Sequence, residues 1–287
     1  MDDAKARAVK EEVRDGWTRE AKGWVKHADV IAAWLRETTD VVVAASGARP
    51  GARVLDVACG PGHIAFALAK VVGPSGRVTA SDLVPAMVEG AQRLARARGV
   101  ANVDFREADA DALPFADASF DVVTCSHGVM FFPQPEKALR EMRRVLRPGG
   151  RATLLAWGPP EGNPFLTSVS GPFFQRMAPR APDPDEPGPF RFAAPGSLAN
   201  VMEAAGFDSV EERAVEVAWD FPGTPEAFWG AVQEISSSLF DWFRAELEPK
   251  AFEQAAAEVQ AEARRRFADG KVRFQATMVL ATGARRA

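Results

Sequence analysis

From residue 52 to residue 157 the sequence alternates short apolar runs with longer segments whose apolar residues recur at helical spacing. The apolar runs have the length of buried β-strands and occupy residues 54–58, 78–81, 103–105, 120–124 and 152–157. The segments between them predict helices over residues 64–72, 86–98 and 135–146. Strands that alternate with helices form a parallel sheet, because each crossover helix returns the chain to the same end of the sheet. The sequence therefore predicts an α/β fold with a doubly wound sheet and a ligand site at the carboxyl ends of its strands.

The segments on either side of this core differ from it in pattern. Residues 1–47 predict an N-terminal helical cap, and residues 48–157 form the predicted ligand-binding core. Residues 158–196 are dense in proline and glycine and predict a lid segment with little periodic structure. Residues 197–287 are predicted to complete the sheet, with a helical insertion over residues 222–270.

Three elements are predicted within the last of these parts. A helix over residues 197–205 ends at Gly206, because glycine adopts the left-handed conformation that closes many helices. A strand follows over residues 210–219. The alternation of side chains over residues 272–281 predicts a final edge strand.

Length, charge and cysteine content exclude several classes of protein. The chain has 287 residues and a formal net charge of -4, so it can bury a large core but lacks the excess of Lys and Arg typical of nucleic-acid binders. Its two cysteines, Cys59 and Cys125, exclude a disulfide-dense scaffold, and no metal site is predicted. The charged amino terminus and the lack of a long apolar run predict neither an export signal nor a membrane span, which favours a cytoplasmic protein. A monomer and a homodimer both fit this composition.

The most informative motif is the run 54–63, in which an apolar strand opens into a glycine turn and then a helix. Gly60 and Gly62 lack a Cβ atom, so the chain can turn sharply there and its amides can approach a ligand. Alone, Gly60, Gly62 and Ala65 also match a dinucleotide fingerprint, which would suit a nicotinamide-dependent oxidoreductase. Asp56 argues against that interpretation, because a carboxylate beside the turn disfavours a pyrophosphate and favours a cationic ligand.

Polar residues also follow the other predicted strands. Asp82 follows strand two, where a carboxylate can accept hydrogen bonds from both ribose hydroxyls, although it could instead cap the next helix. Asp109 follows strand three and could accept from an adenine amino group, whereas Asp111 is interpreted as a solvated loop carboxylate. Ser126 and His127 follow strand four.

In this order the motifs resemble those of the S-adenosylmethionine-dependent methyltransferases with a Rossmann-like core, in the ubiquinone/menaquinone C-methyltransferase-like group of small-molecule enzymes. The motifs are Asp-x-x-Cys-Gly-Pro-Gly at 56–62, Ser-Asp at 81–82, Asp-Ala-x-x-Leu-Pro-Phe at 109–115 and Leu-Arg-Pro-Gly-Gly at 146–150. The resemblance implies a seven-stranded sheet of order 3-2-1-4-5-7-6 with strand seven antiparallel. It also implies S-adenosylmethionine as the cofactor and S-adenosylhomocysteine as the product.

The resemblance assigns roles to individual residues. Asp56 and the glycine turn would hold the methionine part and Asp82 the ribose, while Ser126 and His127 would lie beside the sulfonium. The implied cofactor contacts are Asp56, Cys59, Gly60, Pro61, Gly62, Asp82, Leu83, Met87, Asp109, Ala110, Ser126 and His127.

His127 is in addition the candidate general base, because it follows strand four; the alternative is a packed residue whose backbone touches the cofactor. His63 and Cys59 are interpreted as packed residues. The candidate substrate contacts are apolar side chains that could equally belong to the core, namely Trp17, Trp24, Met130, Phe131 and Phe132.

The predicted function is transfer of a methyl group from S-adenosylmethionine to a small apolar or aromatic acceptor, at carbon or oxygen, by in-line displacement. Positioning of the reactants can supply on the order of 7 to 11 kcal/mol of such a barrier. Three alternatives remain: an N-methyltransferase of a small amine, an NAD(P)-dependent oxidoreductase, and a cofactor-binding module without catalytic activity. A nucleic-acid methyltransferase is disfavoured, because strand four is followed by Ser-His-Gly-Val and not by an Asn/Asp-Pro-Pro-Tyr-type motif.

Overall fold

The computed structural model describes residues 1–179 and 186–286, and its amino-terminal part is helical. Asp2 caps the first helix by accepting a hydrogen bond from the Lys5 amide (2.8 Å), and Gly47 ends the third in the left-handed conformation (φ 69°). These helices lie within the segment predicted as a helical cap. They are α1 (Asp3–Lys26), α2 (Ala28–Trp34) and α3 (Arg36–Ser46).

The core then alternates strands with helices. Its strands are β1 (Arg53–Val57), β2 (Arg77–Asp82), β3 (Val103–Glu107), β4 (Phe120–Ser126) and β5 (Leu146–Trp157). The crossover helices are α4 (His63–Val72), α5 (Pro85–Ala97) and α6 (Pro135–Val145). The motif at 146–150 is already part of β5, where the Gly149 amide donates to the Arg285 carbonyl (2.7 Å). A loop over residues 108–119 joins β3 to β4.

Two further long strands, β6 (Asp208–Ala218) and β10 (Gln275–Ala284), complete one seven-stranded sheet. The strand order is β3-β2-β1-β4-β5-β10-β6, with β1 to β5 parallel and β10 antiparallel to both of its neighbours. Counted along these seven strands, the order is 3-2-1-4-5-7-6, so the predicted fold class is confirmed. The register pairs Val57 with Ser81 and Ser81 with Arg106, which brings the carboxyl ends of β1, β2 and β3 level at one edge.

The last strand corrects one prediction. Residues 272–281 were expected to form an edge strand, but β10 begins at Gln275 and hydrogen-bonds to β5 on one side and β6 on the other. Its residues from Met278 to Gly283 are buried almost without interruption, because both of its faces are covered. Val272 instead pairs with Phe221 in a small second sheet.

The insertion between β6 and β10 is mainly helical. It contains α9 (Pro225–Ile235), α10 (Ser237–Glu246) and α11 (Pro249–Arg265). The small second sheet has the order β7-β9-β8 and consists of β7 (Phe221–Pro222), β8 (Phe267–Ala268) and β9 (Lys271–Val272). Helices α9 and α10 pack on α1. Phe243 of α10 also stacks on the buried ring of Phe173, which precedes the insertion in the chain, at 4.6 Å between ring centroids.

The segment after β5 is more ordered than its composition suggests. It contains α7 (Pro164–Phe174), in which Phe165 and Phe173 are buried, so the expectation of little periodic structure was wrong there. Proline is compatible with the first turn of a helix, where the missing N–H would have no helical partner. The predicted lid prolines Pro182 and Pro184 lie outside the described residues.

After this segment, the helix predicted before Gly206 is confirmed as α8 (Ser197–Ala204), and Gly206 has the expected left-handed conformation (φ 88°). In the part of the chain that the structure describes, no helix is long and apolar enough to cross a membrane.

Candidate active site

The glycine turn lies between the end of β1 and the start of α4, at the carboxyl edge of the sheet. Gly60 and Gly62 both have left-handed backbones, with φ of 52° and 92°. A Cβ at Gly62 would lie 3.0 Å from the Phe105 ring, so packing as well as backbone conformation requires glycine there. A Cβ at Gly60 would meet no atom of the described residues within 4 Å. The turn is therefore closed toward the core at Gly62 and open toward a ligand at Gly60.

Asp82 ties the end of β2 to this turn. Its Oδ2 accepts a hydrogen bond from the Gly60 amide (2.9 Å), and its Oδ1 accepts one from the Val84 amide (3.0 Å). The N-cap residue of α5 is Val84, so the alternative in which Asp82 caps that helix is wrong. Burial raises the pKa of Asp82, while hydrogen bonds from the amides of Val84, Gly60 and Leu83 oppose that shift.

Asp56 lies at the centre of the sheet and is almost fully buried (1% exposed). Its Oδ1 accepts a hydrogen bond from the Thr124 hydroxyl on β4 (2.7 Å), and its Oδ2 has no hydrogen-bond partner within residues 1–179 and 186–286. Burial raises the pKa of Asp56 to about 7, opposed by the Thr124 hydrogen bond and assisted by the charge of Asp82. The sequence analysis missed Thr124, because only the pairing of β1 with β4 places it opposite Asp56.

Asp109 and Asp111 share one cation from the N-terminal helix. Lys10 Nζ donates to Asp109 Oδ2 (2.7 Å) and also pairs with Asp111. The Asp111 amide donates to Asp109 Oδ1 (2.9 Å), so the loop holds both carboxylates in place. Asp111 is 7% exposed, and its interpretation as a solvated carboxylate was therefore wrong. Sequence reasoning missed Lys10, because nothing in the pattern of a surface helix shows which loop the helix covers.

His127 has a left-handed backbone (φ 57°), and its ring lies 5.2 Å from the ring of Trp157 between centroids. Its Nδ1 is 3.1 Å from the Ser126 hydroxyl, and in the described part of the chain its Nε2 has no hydrogen-bond partner. Burial, together with nearby His63, lowers the pKa of His127 to about 3. Burial likewise lowers the pKa of His63 to about 4. Both imidazoles are therefore neutral near pH 7, and each ring then has one nitrogen that donates a hydrogen bond and one that accepts.

Several buried polar atoms around the glycine turn have no hydrogen-bond partner among the described residues. They are Asp56 Oδ2, both ring nitrogens of His63, Ser81 Oγ and His127 Nε2. Each unpaired buried group costs about 1 to 3 kcal/mol, so their concentration at one edge fits a polar ligand that would pair with them. The acidic groups beside an open glycine turn fit a nucleoside that carries a cationic amino-acid chain. The residues present thus match the chemistry of S-adenosylmethionine.

The remaining candidate cofactor residues line the same edge. Leu83 and Ser126 are half-buried, and Ala110 is 9% exposed. The others are buried within the turn or against α1: Cys59, Pro61 and Met87. Cys59 Sγ lies 3.6 Å from the Gly60 carbonyl and stays a packed side chain, and burial raises the pKa of its thiol.

The candidate substrate residues come from two elements that meet above this edge. Trp17 of α1 lies 5.3 Å from Phe131 and 5.8 Å from Trp24, measured between ring centroids. Trp24 Nε1 donates to the Ile235 carbonyl of α9 (2.9 Å). Phe132 is half-buried, whereas Met130 is 1% exposed and packs in the main core. The structure thus brings Trp17, Trp24 and Phe131 together and places Met130 below them.

Comparison with known proteins adds to this geometry. A model of the ubiE/COQ5 methyltransferase family matches residues 22–181. Ubiquinone/menaquinone biosynthesis C-methyltransferase UbiE of Klebsiella pneumoniae is 36% identical over 192 residues, which are 62% of this chain and 73% of that protein. The enzyme of the same name from Ectopseudomonas mendocina is 44% identical over 137 residues, and the match spans 47% of this chain but only about half (52%) of that protein.

Among solved structures, the YcgJ protein from Bacillus subtilis resembles this chain with a TM-score of 0.57 at 21% sequence identity. The superposition covers 88% of this chain and 99% of the other. At this level of identity the likeness concerns the fold alone.

Proposed function

Because the chain belongs to the ubiE/COQ5 methyltransferase family, a family of S-adenosylmethionine-dependent enzymes, we propose that it methylates a ring carbon of a small quinone-like acceptor. Family membership confirms the resemblance inferred from the motifs. The observation that carries the proposal is the group of buried, unpaired polar atoms around the open glycine turn, next to an aromatic surface formed by Trp17, Trp24 and Phe131. An O-methyl acceptor of similar shape is the second candidate, since a ring hydroxyl would meet the same surface.

Each part of the cofactor has candidate partners in this chain. Asp56 and the turn at Gly60 would hold the amino-acid part, Asp82 the ribose, and Asp109 the adenine amino group. When bound, S-adenosylmethionine supplies an electrophilic methyl group on a positively charged sulfur. Transfer of this methyl group to a ring carbon would leave S-adenosylhomocysteine held by Asp56, Asp82 and Asp109, and it would release one ring proton to solvent.

The protein contributes alignment and exclusion of water. The strand ends and α4 form a rigid floor, while α1 covers the edge and its side chain Trp17 faces Phe131. A fixed approach of acceptor to methyl group can supply on the order of 7 to 11 kcal/mol of the barrier. The aromatic rings would stack on the acceptor ring and keep its reactive carbon toward the sulfur.

The oxidoreductase alternative is disfavoured by charge. Asp56 is buried and Asp82 is half-buried beside the turn where a dinucleotide would place its pyrophosphate, and like charges repel strongly where water is excluded. Neither this alternative nor a module without catalytic activity requires the aromatic surface above the edge.

His127 is expected to accept a hydrogen bond from a hydroxyl group of the methyl-accepting substrate, because burial keeps the imidazole ring neutral. Asparagine tolerates the left-handed backbone at this position and keeps an acceptor oxygen. His127→Asn should therefore retain kcat within about tenfold, the value of one neutral hydrogen bond, with the dissociation constant for S-adenosylhomocysteine unchanged. A loss of a hundredfold or more in kcat would identify His127 as the general base of the earlier prediction instead.

Cofactor affinity is expected to depend on pH through Asp56. The amino group of the ligand favours the ionised carboxylate, whereas the pKa of Asp56 in the free protein is about 7. Binding below pH 7 must therefore release a proton, so affinity should rise by up to about tenfold per pH unit from pH 5.5 to pH 7 and then level off. Calorimetry with S-adenosylhomocysteine up to pH 7.5 measures this, since a free α-amino group titrates near about 7.7 to 8.0.

Asp56→Asn supplies the control for that titration. The variant keeps the side-chain volume but cannot release the proton, so its affinity should be weaker and nearly independent of pH over the same interval. Asp82 also has a raised pKa, and an unchanged slope in Asp56→Asn would assign the titration to Asp82 rather than to Asp56.

The proposed reaction is tested by incubating the full chain with S-adenosylmethionine and a panel of quinols, phenols and small amines. Release of S-adenosylhomocysteine should occur with ring-hydroxylated aromatic acceptors, and mass spectrometry with fragmentation should place the added methyl group on a ring carbon. Methylation of oxygen would support the second candidate. Turnover of amines alone, or NADH binding without S-adenosylhomocysteine binding, would contradict the proposal.

A further inference from the structure

Lys10 of α1 reaches across to the loop after β3, nearly one hundred residues further along the chain. Its Nζ donates to Asp109 Oδ2 at 2.7 Å and pairs with Asp111. The side chains are 22%, 37% and 5% exposed for Lys10, Asp109 and Asp111, respectively. The contact with Asp111 is therefore sheltered from solvent, while Asp109 still has an open side.

The ion pairs leave Asp109 able to bind a further donor. Its Oδ1 accepts from the Asp111 amide and its Oδ2 accepts from Lys10, but a carboxylate offers about four lone-pair sites. The three side chains together carry one net negative charge. Burial alone would lower the pKa of Lys10, but hydrogen bonds and charges from both aspartates outweigh burial and raise it. Lys10 is thus a cation at neutral pH, and it fixes the orientation of both carboxylates.

The position of Lys10 is set by close packing of α1 and not by a flexible tail. Further along α1, a Cβ at Gly23 would lie 2.1 Å from the Glu234 carbonyl oxygen of α9. A Cβ at Gly90 of α5 would lie 2.2 Å from Val25 Cγ2. At the other end of α1, the side-chain amide of Gln134 donates a hydrogen bond to Asp3 Oδ1 (2.9 Å). Helix α1 therefore crosses the carboxyl edge in one defined register, with Lys10 above the adenine side.

We propose that Lys10 is a positioning residue of the adenine subsite, which orients Asp109 toward the adenine amino group and holds α1 closed over the bound nucleoside. This inference rests on the proposed function, because it takes Asp109 as the adenine contact. It extends the site to a helix that lies outside the motif-bearing core. It also assigns Asp111 the task of anchoring Lys10 from beneath.

Two consequences distinguish this role from a merely structural ion pair. Loss of Lys10 should weaken S-adenosylhomocysteine binding and speed its dissociation, because α1 would open more readily. Lys10 contacts the proposed adenine subsite and would not touch the methyl acceptor, so kcat at saturating S-adenosylmethionine should change much less than the KM for that cofactor. Loss of a residue needed only for folding would lower the amount of active enzyme, but it would not change the KM for S-adenosylmethionine more than kcat.

The test compares Lys10→Met with Lys10→Arg, which keeps the charge, and with Lys22→Met, an exposed lysine on the same helix. Calorimetry gives the dissociation constant for S-adenosylhomocysteine, and stopped-flow tryptophan fluorescence gives its dissociation rate, since Trp17 and Trp24 lie on α1. We expect the dissociation constant to rise about tenfold or more in Lys10→Met, chiefly through faster dissociation, and to recover in Lys10→Arg. Lys22→Met should match the wild type.

Lys10→Met leaves Asp111 buried without its cation, so the variant could lose stability for that reason. The double variant Lys10→Met/Asp111→Asn removes the buried charge as well, and its melting temperature should return toward that of the wild type while weak binding persists. Wild-type affinity for S-adenosylhomocysteine in either variant would overturn the proposal. Tighter binding would also overturn it, because Lys10 would then compete with adenine for Asp109. If the wild-type chain itself bound no S-adenosylhomocysteine, the proposed function would fail before this question arose.

Discussion

Asp82→Ala is expected to raise the dissociation constant for S-adenosylhomocysteine by at least about a hundredfold, or about 2.7 kcal/mol. The carboxylate accepts from the amides of Gly60 and Val84 in the free protein, and the proposed ribose hydroxyls would add two donors. Each hydrogen bond to a charged group contributes about 1.5 to 3 kcal/mol, and the glycine turn loses its anchor along with the ligand contact. Calorimetric titration measures the change.

Two variants make that result specific. Asp82→Asn keeps one acceptor oxygen and should give an intermediate affinity. Asp104→Asn, on the adjacent strand, breaks an exposed ion pair with Arg77 (2.6 Å) and should leave the dissociation constant within about twofold. If Asp82→Ala bound the ligand as tightly as Asp104→Asn does, the ribose assignment would be untenable.

Gly23→Ala is expected to destabilise the protein by about 1 to 3 kcal/mol or more, although alanine favours helices. The added methyl group would lie 2.1 Å from the Glu234 carbonyl oxygen and 3.0 Å from the Ile235 amide nitrogen, and the backbone of α9 cannot rotate away as a side chain could. Helix α1 must then separate from α9, which also moves Lys10 and Trp17. Denaturant unfolding should show the loss of stability, and cofactor affinity should fall with it.

Gly16→Ala on the same helix is the matched control. The nearest atoms to its Cβ would be 3.9 Å and 4.0 Å away, so the methyl group fits in ordinary contact. This substitution should stabilise the protein by about 0.5 to 1 kcal/mol, because alanine loses less backbone entropy in a helix. Destabilisation of similar size at both positions would mean that α1 does not dock as closely on α9 as described.

The core of the fold could be predicted because its signals are local. Apolar runs, helical spacing and the two glycines at 60 and 62 each report on a few consecutive residues, and the parallel sheet follows from their alternation. The roles implied for Asp56 and Asp82 depended on motifs within the same stretch. The strand order followed from the resemblance to a known family and was confirmed by the pairing of β10 with β5 and β6.

What could not be predicted depends on contacts between distant parts of the chain. Lys10 is one of several charged residues on an exposed helix, and only docking of that helix places it on Asp109 and Asp111. Asp111 looked solvated because its local sequence gives no sign of a cation above it. Helix α7 was missed since burial of Phe165 and Phe173 against other elements outweighs the proline-rich composition.

The insertion of β10 between β5 and β6 has a consequence for biosynthesis. β6 pairs with β10 alone among the described strands, so residues 208–218 have no sheet partner when they leave the ribosome. Strand β6 cannot pair until the insertion and then Gln275–Ala284, which form β10, have been translated. At about 5 to 20 residues per second this leaves an open strand edge exposed for seconds. During that interval the unpaired edge offers backbone N–H and C=O groups with which another chain can pair.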